Sequence, residues 1–223
     1  MSNEQKLMVF IDGQNLLYGC VEFAREKKPG HEFRYREEDL LKLLLGLKTN
    51  RKLIQTRFYT SFSKQNRQRY EKQRKKLDFL EFQLKWIVDR KEAFTYPYYC
   101  PKCRHASKEI QLECPSCGLK LVTTENKGVD VSLATDLLLY GLVGPNQGGY
   151  DVAVLVSGDR DFAPVIKKLN ERRPEAIVEV AQFSKSISNE LRNTARAVYP
   201  LEDHADKFGS WFARPQPSAS HKT

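Results

Sequence analysis

The run Tyr150–Ser157 (YDVAVLVS) sets five consecutive apolar residues, Val152 to Val156, between polar ends. A run this short and this uniformly apolar suits a strand covered on both faces, as in a parallel sheet flanked by helices. Lys6–Ile11 (KLMVFI) is a second such strand, ending on the turn signal Asp12-Gly13, and Ala176–Phe183 is a third. Lys52–Phe62, Leu84–Lys91 and Ala197–Leu201 supply further strands. Between them lie segments of helical period: Asn15–Lys27, Glu37–Leu47 with its acids first, Lys64–Phe82, Val129–Val143, Phe162–Arg172 and Ile187–Asn193. Alternating strands and helices predict an α/β fold with a mainly parallel sheet, helices on both faces and a site at the carboxyl ends of the strands.

Carboxylates stand where such a fold keeps its chemistry. Asp12 ends the first strand, Asp159 and Asp161 follow the most apolar one, and Asp130 opens the helix Val129–Val143. Asp136 lies six residues beyond Asp130, about 600° of helix, so the two cannot both face one point unaided. Any one of these acids would also serve as an ordinary helix cap or turn residue. Gathered together they would repel one another unless a cation neutralised them, and Mg²⁺ or Mn²⁺ suits an all-oxygen donor set. Asn15, one turn past Asp12, is placed to bond a carboxylate, a water or a phosphate, and Lys127 to approach the same phosphate.

Of five cysteines, four form two Cys-Pro-x-Cys pairs, Cys100/Cys103 and Cys114/Cys117, separated by ten residues. Two such knuckles complete a tetrahedral site for structural Zn²⁺, with no open position for catalysis. The surrounding module, with Tyr96, Tyr98 and Tyr99 beside Lys102, Arg104 and Lys108, would either touch RNA or brace the fold. Cys20 falls in an apolar helical pattern and reads as core.

Charge is concentrated in one place. The chain carries 37 Lys and Arg against 28 Asp and Glu, a net charge of +9. Residues 51–85 hold eleven of the cations and three acids, a local charge of +8. Lys64, Arg67, Arg69, Lys72, Arg74, Lys75 and Lys76 would make either a solvated helix face or a surface for RNA phosphates.

Three segments resemble the motifs of NYN-domain proteins, a LabA-like branch of the PIN-like nuclease superfamily: FIDGQN (10–15), KGVDVSLATD (127–136) and VSGDRDF (156–162). They occur in the family's order. The resemblance implies a PIN-like α/β/α sandwich and a metal-dependent endoribonuclease. Asp12, Asp130 and Asp159 would be its core ligands for Mg²⁺ or Mn²⁺, Asp161 and Asn15 would complete the site, and Asp136 matches a family acid whose direct role stays open. The cysteine module is a departure from the minimal family pattern.

The expected organisation is a nuclease domain over residues 1–95 and 123–205, an inserted zinc ribbon over 96–122, and a flexible tail over 206–223. Trp211 and Phe212 give that tail something to dock, on the domain, on a protein partner or on a second copy in a homodimer. No apolar stretch approaches the roughly 20 residues of a membrane span, and the first residues do not read as a secretory signal, so the expected location is cytoplasmic. Walker, dinucleotide and serine-hydrolase motifs are missing from the sequence. The readings that compete with a ribonuclease are a catalytically silent RNA-binding adaptor on the same scaffold and a nuclease directed at DNA.

Overall fold

The computed structural model describes residues 4–62, 67–92, 98–100, 102–107, 114–119, 128–208 and 211–213. Its centre is a six-stranded sheet in which every pairing is parallel. The strands are β1 (Gln5–Asp12), β3 (Arg51–Phe62), β4 (Ile87–Glu92), β7 (Val152–Val156), β8 (Ile177–Gln182) and β9 (Ala197–Pro200), in the spatial order β4-β3-β1-β7-β8-β9. The chain winds outward from β1 in one direction and from β7 in the other. The crevice between the carboxyl ends of β1 and β7 is therefore the topological switch point, where open α/β sheets bind ligands.

Period-two alternation assigns the two faces. Leu7, Val9 and Ile11 of β1, with Val152, Val154 and Val156 of β7, pack beneath α1 (Gly13–Lys27), α2 (Glu37–Gly46) and α3 (Arg67–Phe82). Met8, Phe10, Ala153 and Leu155 pack beneath α4 (Val129–Val143), α5 (Ala163–Arg172) and α6 (Asn189–Thr194). The result is the three-layered α/β/α sandwich expected from the sequence.

At the amino end of the sheet, opposite the crevice, Glu179 of β8 is wholly buried. It is held bidentately by Arg51 (2.8 and 2.9 Å) and by Lys48 (2.6 Å). Burial alone would raise its carboxyl, but the hydrogen bonds from Arg51 and Lys48 hold it below the usual carboxylate range.

The C-terminal segment departs from expectation. Phe208 is fully buried against Phe33 and Tyr35. Beyond it, β10 (Trp211–Ala213) pairs antiparallel with β2 (Glu32–Arg34), a strand between the helical segments Asn15–Lys27 and Glu37–Leu47, where the sequence reading places no element. An aromatic plug and a two-stranded ladder thus tie the chain down past residue 206, while 214–223 lie outside the described residues. No helix among the described residues is long and apolar enough to cross a membrane.

Candidate metal centres at the sheet switch point and in the cysteine insert

Asp12 is both the last residue of β1 and the N-cap of α1, its Oδ1 accepting from the N–H groups of Gln14 (3.1 Å) and Asn15 (3.0 Å). The Ser157 hydroxyl donates to Oδ2 (3.2 Å) and accepts from the Asp159 N–H (3.3 Å), so one serine joins both sides of the crevice. The Asp12 carboxyl is 4% exposed, and burial pushes it up to about 6. The negative charge of Asp130 adds to that rise, while the three hydrogen bonds oppose it.

Gly128, at φ 94°, turns the chain into α4 in the left-handed region that glycine tolerates, which puts Asp130 in the first helical turn. Partial loss of water raises the Asp130 carboxyl, and the charges of Asp159 and Asp161 raise it further. Asp159 caps the short turn Arg160–Phe162, its Oδ1 accepting from the Asp161 N–H (3.0 Å). The Asp161 side chain is 75% exposed. Just before them Gly158 is obligatory, because a Cβ there would lie 1.7 Å from the Ser186 carbonyl oxygen.

Asp130 therefore feels Asp159 and Asp161 and is felt by Asp12, and among the described residues no lysine or arginine pairs with Asp12, Asp130 or Asp159. Their hard oxygens are donors of the type a divalent ion takes, while among the described residues only the four cysteines bring three or more ligand atoms within 4.8 Å of one another.

Two of the sequence-based candidates have other partners. The Asn15 side-chain oxygen accepts from the Gly158 N–H (2.8 Å) and from Gln182 Nε2 (2.8 Å), so it ties α1 to the loop that carries Asp159. Asp136 faces β3, where its Oδ2 accepts from Tyr59 Oη (2.7 Å) and pairs with Arg57 (2.8 Å). Arg57 in turn bonds Tyr140 and Gln55 (both 3.0 Å). Ser157 and Gln182 are the supporting residues that motif reading missed, since neither titrates and their partners lie about 145 and 167 residues away.

On the basic helix, Arg74 pairs with Glu71 and Asp78, and Lys76 with Glu37. Arg67, Lys72 and Lys75 are exposed and form no ion pair among the described residues. Lys64 and Lys127 lie outside the described residues, as does the side chain of Arg69.

The cysteine insert shows two copies of one backbone figure. β5 (Tyr98–Tyr99) and β6 (Ala106–Ser107) flank the first knuckle. The Arg104 N–H donates to the Cys100 carbonyl and the Gly118 N–H to the Cys114 carbonyl, both at 2.8 Å. Arg104 (φ 56°) and Gly118 (φ 68°) hold the same left-handed position. The four Sγ atoms lie within 4.8 Å of one another, with the pairs Cys100–Cys117 and Cys103–Cys114 at 3.5 Å. Tetrahedral zinc with bonds of about 2.3 Å requires sulfurs roughly 3.8 Å apart, far beyond the ~2.05 Å of a disulfide, so the quartet fits Zn²⁺. N–H groups of Cys103 and Lys102 lower the Cys100 thiol, while the thiols of Cys103 and Cys117, crowded by the other sulfurs, are raised.

A search of curated proteins gave no match. Among solved structures, the chain is similar to a protein of unknown function, VPA0982, from Vibrio parahaemolyticus RIMD 2210633. The TM-score is 0.59 at 18% identity, over 91% of this chain and 96% of that one, a likeness of fold. The NYN domain profile matches residues 6–202, from β1 through β9 with the acid crevice and the cysteine insert inside the match. The parallel PIN-like sandwich agrees with that match, and the chain belongs to the NYN domain family.

Proposed function

We propose that the protein is a metal-dependent endoribonuclease that hydrolyses RNA phosphodiester bonds at the crevice between β1 and β7. The observation that carries this reading is the neighbourhood of Asp12 and Asp130 at the strand ends, in a nuclease-like family. There burial and Asp130 raise Asp12, lost water, Asp159 and Asp161 raise Asp130, and no lysine or arginine is paired to Asp12, Asp130 or Asp159 among the described residues. Asp12, Asp130 and Asp159 would hold Mg²⁺ or Mn²⁺, with Asp161 at the open rim. Bound there, the ion would lower the pKa of a water and stabilise charge on the scissile phosphate.

The chain's own residues supply the positioning. Ser157 and the two N–H groups on Asp12 fix its carboxylate, and Asn15 fixes the Gly158–Asp159 turn against α1. Asp161, largely in water and 4.0 Å from Arg160, stands at the rim of the crevice. The cysteine quartet would bind structural Zn²⁺, which in the reducing cytoplasm finds its thiols unoxidised. RNA is preferred to DNA on the family resemblance.

The test is cleavage of end-labelled single-stranded and structured RNA, and of matching DNA, with added Mn²⁺ or Mg²⁺ or with neither. Metal-dependent cleavage that disappears in Asp159→Asn is the expected result. Tight RNA binding without cleavage under either metal would overturn the assignment in favour of an adaptor.

A further inference from the structure

The two cysteine knuckles interlock. In each, the first cysteine is buried, Cys100 at 1% and Cys114 at 2% exposed, while the second reaches solvent, Cys103 fully and Cys117 in part. The 3.5 Å sulfur pairs run across the knuckles. The open cysteine of each therefore lies against the buried cysteine of the other, Cys103 on Cys114 and Cys117 on Cys100.

Charge separates the two open sulfurs. Cys103 stands between Lys102 and Arg104, both exposed and without an ion pair among the described residues. Cys117 stands between Ser116 and Gly118, which bring no charge. Metal binding holds all four sulfurs as thiolates, the nucleophilic form. An accessible thiolate among cations, with a second thiolate in reach, is the arrangement from which peroxide makes a disulfide. The Cys100 sulfur, by contrast, is buried and accepts from the Lys102 and Cys103 N–H groups, which hold it inside its own knuckle.

We propose that Cys103 is the peroxide-reactive residue of the insert and Cys114 its resolving partner, so that oxidation joins the two knuckles and releases the metal. The Cys103 thiolate attacks one oxygen of hydrogen peroxide: an S–O bond forms, the O–O bond breaks and hydroxide leaves. The Cys114 thiolate then attacks the Cys103 sulfur: the S–S bond forms, the S–O bond breaks and a second hydroxide leaves. The sulfurs give up two electrons, the peroxide takes them, and each hydroxide gains a proton from solvent to become water. Sulfurs 3.5 Å apart close to the ~2.05 Å of a disulfide. The remaining thiolates, Cys100 and Cys117, are too few for a tetrahedral site. Loss of metal rests on the zinc reading above; the choice of Cys103 and Cys114 rests on exposure, distance and charge.

The test loads the full chain with Zn²⁺ and adds hydrogen peroxide in steps. Released zinc is followed with a chromogenic chelator, and disulfides are mapped by mass spectrometry after the remaining thiols are alkylated. The first equivalent is expected to free the zinc and give Cys103–Cys114, and dithiothreitol with fresh Zn²⁺ to restore the site. Lys102→Gln with Arg104→Gln should slow release by peroxide roughly threefold. That effect should fade at high salt and leave zinc loss to the chelator alone unchanged. Lys167→Gln, an exposed lysine on α5, serves as control and alters neither rate.

A first disulfide within a knuckle, Cys100–Cys103 or Cys114–Cys117, would overturn the proposal. So would oxidation that begins at Cys117, or zinc that stays bound under a large excess of peroxide. A chain that takes up no zinc yet forms Cys103–Cys114 keeps the thiol pair and loses the zinc reading. A zinc-loaded chain that links only within its knuckles does the reverse.

Discussion

Asp12 combines two demands that pull apart. As the N-cap of α1 it stabilises a helix start, a contribution of about 1 kcal/mol. As a buried carboxylate beside Asp130 it destabilises the fold whenever it is charged without a counter-ion. Asp12→Asn keeps an acceptor for the cap and removes the charge. In buffer free of Mg²⁺ and Mn²⁺ it should therefore be more stable than the parent by about 1–3 kcal/mol, with a higher unfolding midpoint, while cleavage with added metal falls about 100-fold or more. An unfolding midpoint below the parent's would contradict this account of the site. Glu179 presents the opposite sign. Its folded pKa lies below the unfolded value of about 4.3, so its contribution is present above that value and is lost as pH falls through the lower folded one. Glu179→Gln should remove about 3–5 kcal/mol at pH 7, because Arg51, 3% exposed, would keep its charge without a partner. The variant should also lose less further stability than the parent on acidification, which urea titrations at pH 7 and pH 3 would measure.

Helix α4 carries one acid of the crevice, and its seat is fixed from β3. The Asp136 carboxylate meets Tyr59, whose Cα lies opposite Asp12 in the sheet register. The network that holds the helix and the acids it serves are thus at one level. Asp136→Ala should destabilise by about 3–5 kcal/mol by stranding Arg57, and Tyr59→Phe by about 1 kcal/mol, read from urea unfolding. In the cysteine insert, Arg104 holds a left-handed conformation that Gly118 occupies freely in the second knuckle. Arg104→Gly should be stabilising by roughly 1 kcal/mol, slowing zinc loss to a chelator. The element map itself was legible wherever one periodicity ran unbroken: β1, β7 and α4 were read to within a residue or two. β2 and β10 were not, because three-residue strands carry no period and find each other across about 180 positions. The ion pairs on α3 were hidden for a related reason. A run of lysines and arginines reads the same whether or not Glu37 waits on a neighbouring helix.

At the scale of the molecule, the parallel α/β architecture was the part most open to sequence reading, since such a fold dictates where strand ends gather. What escaped was support, the uncharged Ser157, Asn15 and Gln182 contacts that only a folded chain brings together. The insert offers a whole-molecule prediction: one zinc per chain by elemental analysis, falling to none in Cys100→Ser with Cys114→Ser, with the main sheet's circular dichroism retained. The parallel order has a consequence for how the protein is made. β1 is synthesised first and lies at the centre of the sheet, yet one of its two neighbours, β7, begins at Val152. At ribosomal speeds of ~5–20 residues per second, roughly 7–30 s separate the synthesis of Asp12 from that of Asp159. Throughout that interval the nascent chain leaves one edge of β1 without its β7 neighbour and has only part of its acid set. The crevice between β1 and β7 is therefore incomplete until most of the chain has been made.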